Sequence, residues 1–451
     1  MKIEKQNTID IEHINEMLKD ADSTNLFFTD LLGRPMTLTV NPDDISDIIQ
    51  NGIGFDGSSI AGFASIEGSD RILKPVMETF HVLNFGEEKV GFFMCKIFDQ
   101  QNKRYLADPR LMLEQVLAKA KKTFSAAFLA GAEHEFFLIN QDTLEEYVKS
   151  DLEERVKSDH AGYFHIDPYD KGDPVRREII SVLKKTGIKF EKAHHEVSES
   201  QHEINIVCTD PLQVADETIL FHYVTRKVAA QFGYHAIFIP KPFNGQNRNA
   251  FHIHLSMLDQ NMKNLFYDSD SQHSLSSTMK HFIGGLLQYA RETSIIMAAS
   301  FNSYKAYVVE REAPIVRSWG LTNRSCMVRI PWAKNPQATR LELRSPDPSG
   351  NVYLQLATLI EMGLKGIHDK LDCGEPESQS IYEKVKHSKV WDDRFLPKCM
   401  FEALVEAERS QFLRSIMGEL LYDKYMGLKI KDWEEHRTHI TLRERSKYID
   451  I

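Results

Sequence analysis

The segment Ala132–Ile139, AEHEFFLI, sets the reading of this chain. Read as a β-strand, it sends residues i and i+2 to the same side, so Glu133 and Glu135 share a face. Working outward, three more short segments repeat the pattern. In QHEINIV (Gln201–Val207), Gln201, Glu203 and Asn205 share a face, with Ile204 and Ile206 opposite. In FHIHLSM (Phe251–Met257), His252, His254 and Ser256 share one. In RLELRS (Arg340–Ser345), Glu342 and Arg344 share one, backed by Leu341 and Leu343. One such strand is ordinary sheet amphipathicity. A merely wet face, however, would carry Lys, Thr and Ser, so four strands bearing Glu and His point to a shared polar lumen rich in carboxylates.

Glu196 lies in HHEVSESQHEI, seven residues before Glu203, and a short polar loop there could fold it back beside Glu203. Five carboxylates and one or two imidazoles without a thiolate suit Mg²⁺ or Mn²⁺ rather than structural zinc. Crowded carboxylates repel unless cations neutralise them; salt bridges to Arg324, Arg329, Arg340 and Arg344 are the alternative. Those four arginines fall within 21 residues. Guanidinium forks bind phosphate oxygens, and a phosphoryl-transfer site needs both metals and arginines. Neither GxxxxGK[ST] nor a GxGxxG opening a helix is present, so the site is not a P-loop.

At 451 residues, the chain is long enough for two or three domains. It is 42% hydrophobic and 27% charged, enough apolar content for a sizeable core. A net charge of −10 argues against a nucleic-acid partner. Five scattered cysteines form no CxxC pair, which fits a reduced, cytoplasmic setting. MKIEKQNTID lacks the apolar centre of a signal peptide, and no apolar run reaches membrane-spanning length. NLFFTDLLGRPMTLTV predicts a hairpin around Gly33-Arg34-Pro35, followed by strands FHVLNF and KVGFFMCKIF. After Asp108-Pro109-Arg110 the pattern becomes helical, with Asp108 as cap. The domains expected are therefore 1–105 and 106–451, with a helical, charged tail from about Pro397.

Taken together, these blocks resemble the glutamine synthetase family, its bacterial type I branch in particular, over nearly the full length. FDGSSI (Phe55–Ile60), Gly68-Ser69-Asp70, EHEFFLI, HHEV…QHEI, FHIHLS, NSYK, EAP, NRS…RIP, RLELRSPDPSGN and RTHITLRE stand in family order. The resemblance implies an α+β chain: a small N-terminal β-grasp-like domain, then a catalytic domain with a curved antiparallel sheet flanked by helices. It implies active sites between subunits of a six-membered ring, two rings stacking into a dodecamer. It also implies a role in nitrogen metabolism, with ATP as co-substrate and Mg²⁺ or Mn²⁺ as cofactor. By position, Glu135, Glu196 and Glu203 resemble the ligands of one metal, and Glu133, His252 and Glu342 those of the other. Arg324, Arg329, Arg340 and Arg344 match arginines that handle nucleotide and transferred phosphate, with His254 and Ser256 on the nucleotide side and Arg344 meeting the acid. Asp56, Tyr163 and Glu196 match the ammonium pocket, Asp56 arriving from the neighbouring subunit, and Glu312 matches the flap glutamate.

Three departures from the family pattern matter. Where the family reads NSYKRLVPGYEAP, this chain reads NSYKAYVVEREAP, so Ala306 replaces the arginine that holds the α-carboxylate of glutamate. Within that block, Pro-Gly-Tyr of the flap becomes Val309-Glu310-Arg311. The glycine-rich NGSGMH becomes Asn247-Arg248-Asn249-Ala250-Phe251-His252, with Arg248 filling space that glycine leaves open for the substrate. The implied chemistry is a carboxylate attacking ATP to give an acyl phosphate, which ammonia then displaces. Three readings stay open: glutamine synthesis, with Arg248 or Arg311 as a substitute clamp; a ligase for a different acid; and a non-catalytic, nucleotide-binding regulatory ring.

Overall fold

The Gly33-Arg34-Pro35 turn folds the first strands back on each other, as its sequence predicts. In the computed structural model, which describes residues 10–62, 69–149, 156–308, 312–386 and 392–451, β1 (Ser23–Thr29) pairs antiparallel with β2 (Pro35–Val40). Gly33 takes φ +85°, and a β-carbon there would lie 2.7 Å from the Asn351 Cα, so conformation and close approach both require glycine. β3 (Ile53–Asp56), β4 (Asp70–Pro75), β5 (His81–Phe85) and β6 (Glu88–Phe98) complete a sheet of order β2-β1-β6-β4-β3, with β5 also on β6. Its one parallel pair is β1 with β6. This is the β-grasp sheet of an α+β chain. Gly68, Val309, Glu310 and Arg311 lie outside the described residues.

The helix Pro109–Phe124 begins where expected. The Asp108 carboxylate accepts from the Arg110 N–H at 3.0 Å, and Pro109 occupies the first turn, where its missing N–H costs nothing. A second sheet follows: β7 (Ala127–Asn140), β8 (Phe190–His195), β9 (Gln201–Ile206), β10 (Tyr234–Ile237), β11 (Ile253–Leu258), β12 (Trp319–Leu321), β13 (Val328–Ile330) and β14 (Leu341–Leu343). Its order is β12-β13-β14-β11-β7-β9-β8, with β10 on β7, and only β12–β13 is parallel. Helices cover the back. Pro211–Gln231 packs on β7, and Val352–Asp369, buried along almost its whole length, packs on Ser277–Tyr289 and Pro109–Phe124.

Buried polar contacts pin these layers. Arg110 donates bidentately to Asp216 at 3.0 and 2.8 Å, and the Tyr353 hydroxyl donates to the same carboxylate at 2.6 Å. The Asn351 side chain caps Val352–Asp369 through the N–H groups of Tyr353 and Leu354, while its amide donates to the Asp30 carbonyl (3.0 Å) and the Thr29 hydroxyl (3.3 Å) in the N-terminal sheet. The tail is helical, from Met400 to Tyr448. All five cysteines are free, and no helix among the described residues is long and apolar enough to cross a membrane.

The alternation expected of the sheet is cleaner on paper than in the molecule. His134 and His202 project to the apolar side and are buried there. Each finds a polar partner, as buried polar groups must: His134 Nε2 lies 3.1 Å from the Thr218 hydroxyl, and His202 Nδ1 lies 2.8 Å from Arg176 Nη1.

Candidate active site

Strand register assembles the lumen. β7 and β9 pair so that Glu135 opposes Glu203 and Glu133 opposes Asn205. On the other flank, His254 of β11 opposes Glu342 of β14, which in turn opposes Arg329 of β13. Glu196 arrives by the predicted fold-back: its N–H donates to the Gln201 carbonyl at 2.8 Å, closing the β8–β9 connection. Two groups of potential ligand atoms result, each gathered within 4.8 Å: Glu133, His254 and Glu342, and His194, Glu196 and Glu203. Glu135, Gln201, Asn247, Arg248, His252, Glu312, Arg324 and Arg344 line one cavity with Glu133, Glu196 and Glu203.

Hydrogen bonding sorts these carboxylates into two kinds. Burial would raise the Glu133 carboxyl, but His252 Nδ1 (2.9 Å) and His254 Nε2 (3.1 Å) outweigh it and hold it well below the usual range. Burial is likewise outweighed at Glu342, where Arg344 and the two histidines bring it to about 2. Arg344 and Arg329 each donate to Glu342 at 2.5 Å, so the salt-bridge alternative holds for this one carboxylate. Glu135 is different. Burial, then Glu196 and Glu203, push it well above the carboxylate range, although its Oε2 accepts from Gln201 Nε2 (3.0 Å) and the Ala250 N–H (2.8 Å). Burial and Glu203 raise Glu196 to about 7. The lumen thus holds more acid groups than its cations neutralise.

The remaining expected residues fall at different depths. Burial would lower the Arg324 guanidinium, but Glu312, Tyr163 and Glu196 outweigh it and raise it, and Arg324, Glu312 and Glu196 all line the cavity. Tyr163 stacks on Phe164 at 3.9 Å. Arg340 Nε donates to His254 Nδ1 at 3.2 Å, next to the acidic groups. The Ser256 hydroxyl is committed to the Thr339 carbonyl at 3.0 Å. The Asn247 N–H donates to the Ser198 hydroxyl at 2.9 Å, and its residue lines the cavity. Ala306 is buried at the end of the 3₁₀ turn Phe301–Ala306 and does not reach the cavity wall. Arg248 does reach it, but its guanidinium is folded onto the backbone of residues 344 and 345 rather than standing in the open space. Asp56 is exposed on edge strand β3 and is absent from the lining of its own chain's cavity. Hydrogen bonds from Ser58 lower its carboxyl.

Two participants escaped the sequence reading. His194 lies with its Nε2 3.5 Å from Glu203 and its Nδ1 3.8 Å from Glu196. Lys192 places its Nζ 3.7 Å from Glu203 and 3.8 Å from Glu133, between the two acidic groups. Both lie on β8, and the i, i+2 rule from Glu196 identifies them: 192, 194 and 196 share one face. A third compact group, Asp159, His195 and His202, lies behind the sheet. Arg176 already supplies a cation against His202, so this is a buried hydrogen-bonded brace.

The family model for the β-grasp domain of glutamine synthetase matches residues 20–100, and that for its catalytic domain matches residues 106–448. The chain belongs to the glutamine synthetase family. It is thus an ATP-dependent ligase that forms a C–N bond. Among relatives, the glutamine synthetase of Thermotoga maritima is 36% identical over 444 residues, covering 97% of this chain and 99% of its own. Glutamine synthetase of Methanococcus maripaludis is 34% identical, covering 94% and 95%. In structure, the chain is similar to apo GmaS without ligand, with TM-score 0.87, 29% identity and coverage of 98% and 100%.

Glutamine synthetases use ATP and divalent metals, and the residues present suit such ions. His252 Nε2 is buried without a hydrogen-bond partner. Glu135 and Glu196 are crowded carboxyls whose raised affinity for protons a divalent cation would relieve.

Proposed function

We propose that this chain is a carboxylate–ammonia ligase working through an acyl phosphate, in a ring of identical subunits. The observation that carries it is the lumen itself: two adjacent Glu/His groups, of which Glu133, Glu196 and Glu203 line one cavity with Arg324 and Arg344, while Arg329 and Arg340 donate to Glu342 and His254. In this reading, Glu135, Glu196 and Glu203, with His194 beside them, hold one Mg²⁺ or Mn²⁺. Glu133, His252 and Glu342, with His254, hold the other. Bound there, the ions supply charge neutralisation for the phosphates of ATP.

A carboxylate oxygen of the acid attacks the γ-phosphorus, forming a C–O–P linkage as ADP leaves. Ammonia then attacks the acyl carbon, an amide forms, and phosphate departs. Arg329 and Arg340 bind the nucleotide, and Arg344 orients the acid. Arg324 meets the transferred phosphoryl group, and Glu312 closes over the intermediate to exclude water, which would hydrolyse it. Glu196 and the neighbouring subunit's copy of Asp56 attract ammonium, and one of them accepts its proton. Tyr163 walls that pocket. Two domains, 1–105 and 106–451, divide these tasks, and two six-membered rings make the full assembly. The relatives are named for glutamine, so glutamate with ammonium is the first substrate pair to test, by phosphate release from ATP.

Two outcomes are expected of that assay. Phosphate release should require Mg²⁺ or Mn²⁺ and stop in excess chelator; full activity with all divalent ions chelated would end this reading. Ammonium should outcompete ethanolamine or polyamines at equal concentration, because Tyr163, Asp56 and Glu196 enclose a small cation and a long amine would lose those contacts. Preference for the bulky amine would remove the ammonium assignment.

A further inference from the structure

We infer that Lys192 couples ion binding to nucleotide binding: its ammonium holds the place between the two acidic groups and passes to the polyphosphate when divalent ions take those groups. The inference rests on the ligase reading above and adds a nucleotide contact. Lys192 shares the lumen face of the edge strand β8 with His194 and Glu196. Its Nζ lies 3.7 Å from Glu203 and 3.8 Å from Glu133, one carboxylate from each group. Arg329 and Arg344, by contrast, both bind Glu342, on one side of the lumen. Glu191 and Tyr163 add to the attraction on the Lys192 charge.

Lys192 is placed to leave this position. Both ion pairs are longer than a hydrogen bond, so they neutralise charge without fixing the ammonium. The two carboxylates have nearer partners: Glu133 Oε1 accepts from Asn205 Nδ2 at 3.2 Å and lies 3.1 Å from His254 Nε2, and Glu203 Oε1 lies 3.5 Å from His194 Nε2. The Lys192 side chain is 51% exposed, on a flexible four-carbon stem. A divalent ion at Glu133 or Glu203 replaces the attraction on this ammonium with repulsion at short range. A polyphosphate supplies the anionic oxygens it then needs, and lysine binds phosphate as a mobile point charge. The opposite flank is already cationic: Arg329 stands on β13, and Arg340 reaches His254 on β11. Lys192 brings its charge from β8, at the other end of the sheet. A nucleoside polyphosphate is thereby held from both flanks.

The test measures binding rather than turnover, on the full-length protein. Mn²⁺ alone is titrated by electron paramagnetic resonance, and ADP is titrated by equilibrium dialysis at saturating Mn²⁺. Lys192→Met keeps the stem and removes the charge. It should tighten Mn²⁺ binding in the absence of nucleotide by about 5-fold and weaken ADP binding by about 5-fold, the scale of one partly exposed ion pair. Lys192→Arg should leave both close to wild type. Opposite signs in the two titrations are the signature, because a general loosening of the site would weaken both. Changes of the same sign, or none, overturn the inference and leave the ligase reading standing. If Lys192→Met fails to fold, judged by its melting curve, Lys192→Gln takes its place with the same two signs expected. Wild-type protein that binds neither Mn²⁺ nor ADP removes the ligase reading and this inference with it.

Discussion

Glu135→Ala should abolish ATP turnover, lowering phosphate release by roughly 10³-fold, the scale of removing a group that stabilises transition-state charge. Glu135 is buried at the centre of the lumen, opposite Glu203 across β7 and β9. Its carboxylate keeps the Gln201 amide and the Ala250 N–H satisfied. Alanine removes a charged ligand and also strips the Ala250 N–H of its acceptor, at about 1–3 kcal/mol for a buried unsatisfied group. The Gln201 amide, by contrast, keeps the Arg248 carbonyl at 2.8 Å. Glu135→Gln separates the two effects. It keeps the volume and one acceptor oxygen but discards the charge. If ligation is the role, Glu135→Gln should be nearly as inactive as alanine and should bind Mn²⁺ more weakly by electron paramagnetic resonance. A glutamine variant with near-normal turnover and Mn²⁺ binding would reduce Glu135 to a packing residue.

Asp56→Ala and Glu342→Ala should each be inactive alone and active together. Asp56 stands exposed on an edge strand and does not line its own chain's cavity, yet hydrogen bonds from Ser58 favour its charged form. An exposed carboxylate kept ionised suits work in another subunit's site. Each homogeneous variant should lose about 100-fold or more. Co-refolded in equal amounts, a site regains both groups when an Asp56→Ala subunit meets a Glu342→Ala neighbour, so about a quarter of sites recover under random mixing in a closed ring. Hybrids as inactive as their parents would refute the shared site, as would a fully active monomer.

The lumen was legible because strand periodicity is strict. Once Glu133 and Glu135 were placed on one face, partner strands with the same i, i+2 spacing could be recognised before any pairing was known. The Gly33 turn and the Asp108 cap were legible because each residue type answers a local backbone need. Other features depended on tertiary contacts. The buried places of His134 and His202 on the apolar face depend on helix residues Thr218 and Arg176, which are distant in sequence and supply their partners. Lys192 was passed over because a lone lysine in a strand signals only solvent, and its place between two acidic groups depends on β8 pairing with β9. The direction of Arg248 was hidden as well: the sequence placed a long cation in the acid pocket, but the carbonyls that turn it aside come from residues 344 and 345, almost a hundred positions away.

Asn351 has a consequence for how the chain unfolds. One side chain both starts the buried helix Val352–Asp369 and holds Thr29 and Asp30 of the N-terminal sheet, with Gly33 packed against its Cα. Loss of the N-terminal sheet would leave a buried amide unsatisfied at the head of the central helix, and melting of that helix would release the hairpin. The two sheets, distinct in topology, therefore form a single cooperative unit, so partial unfolding at their junction is penalised and the chain tends to lose both together.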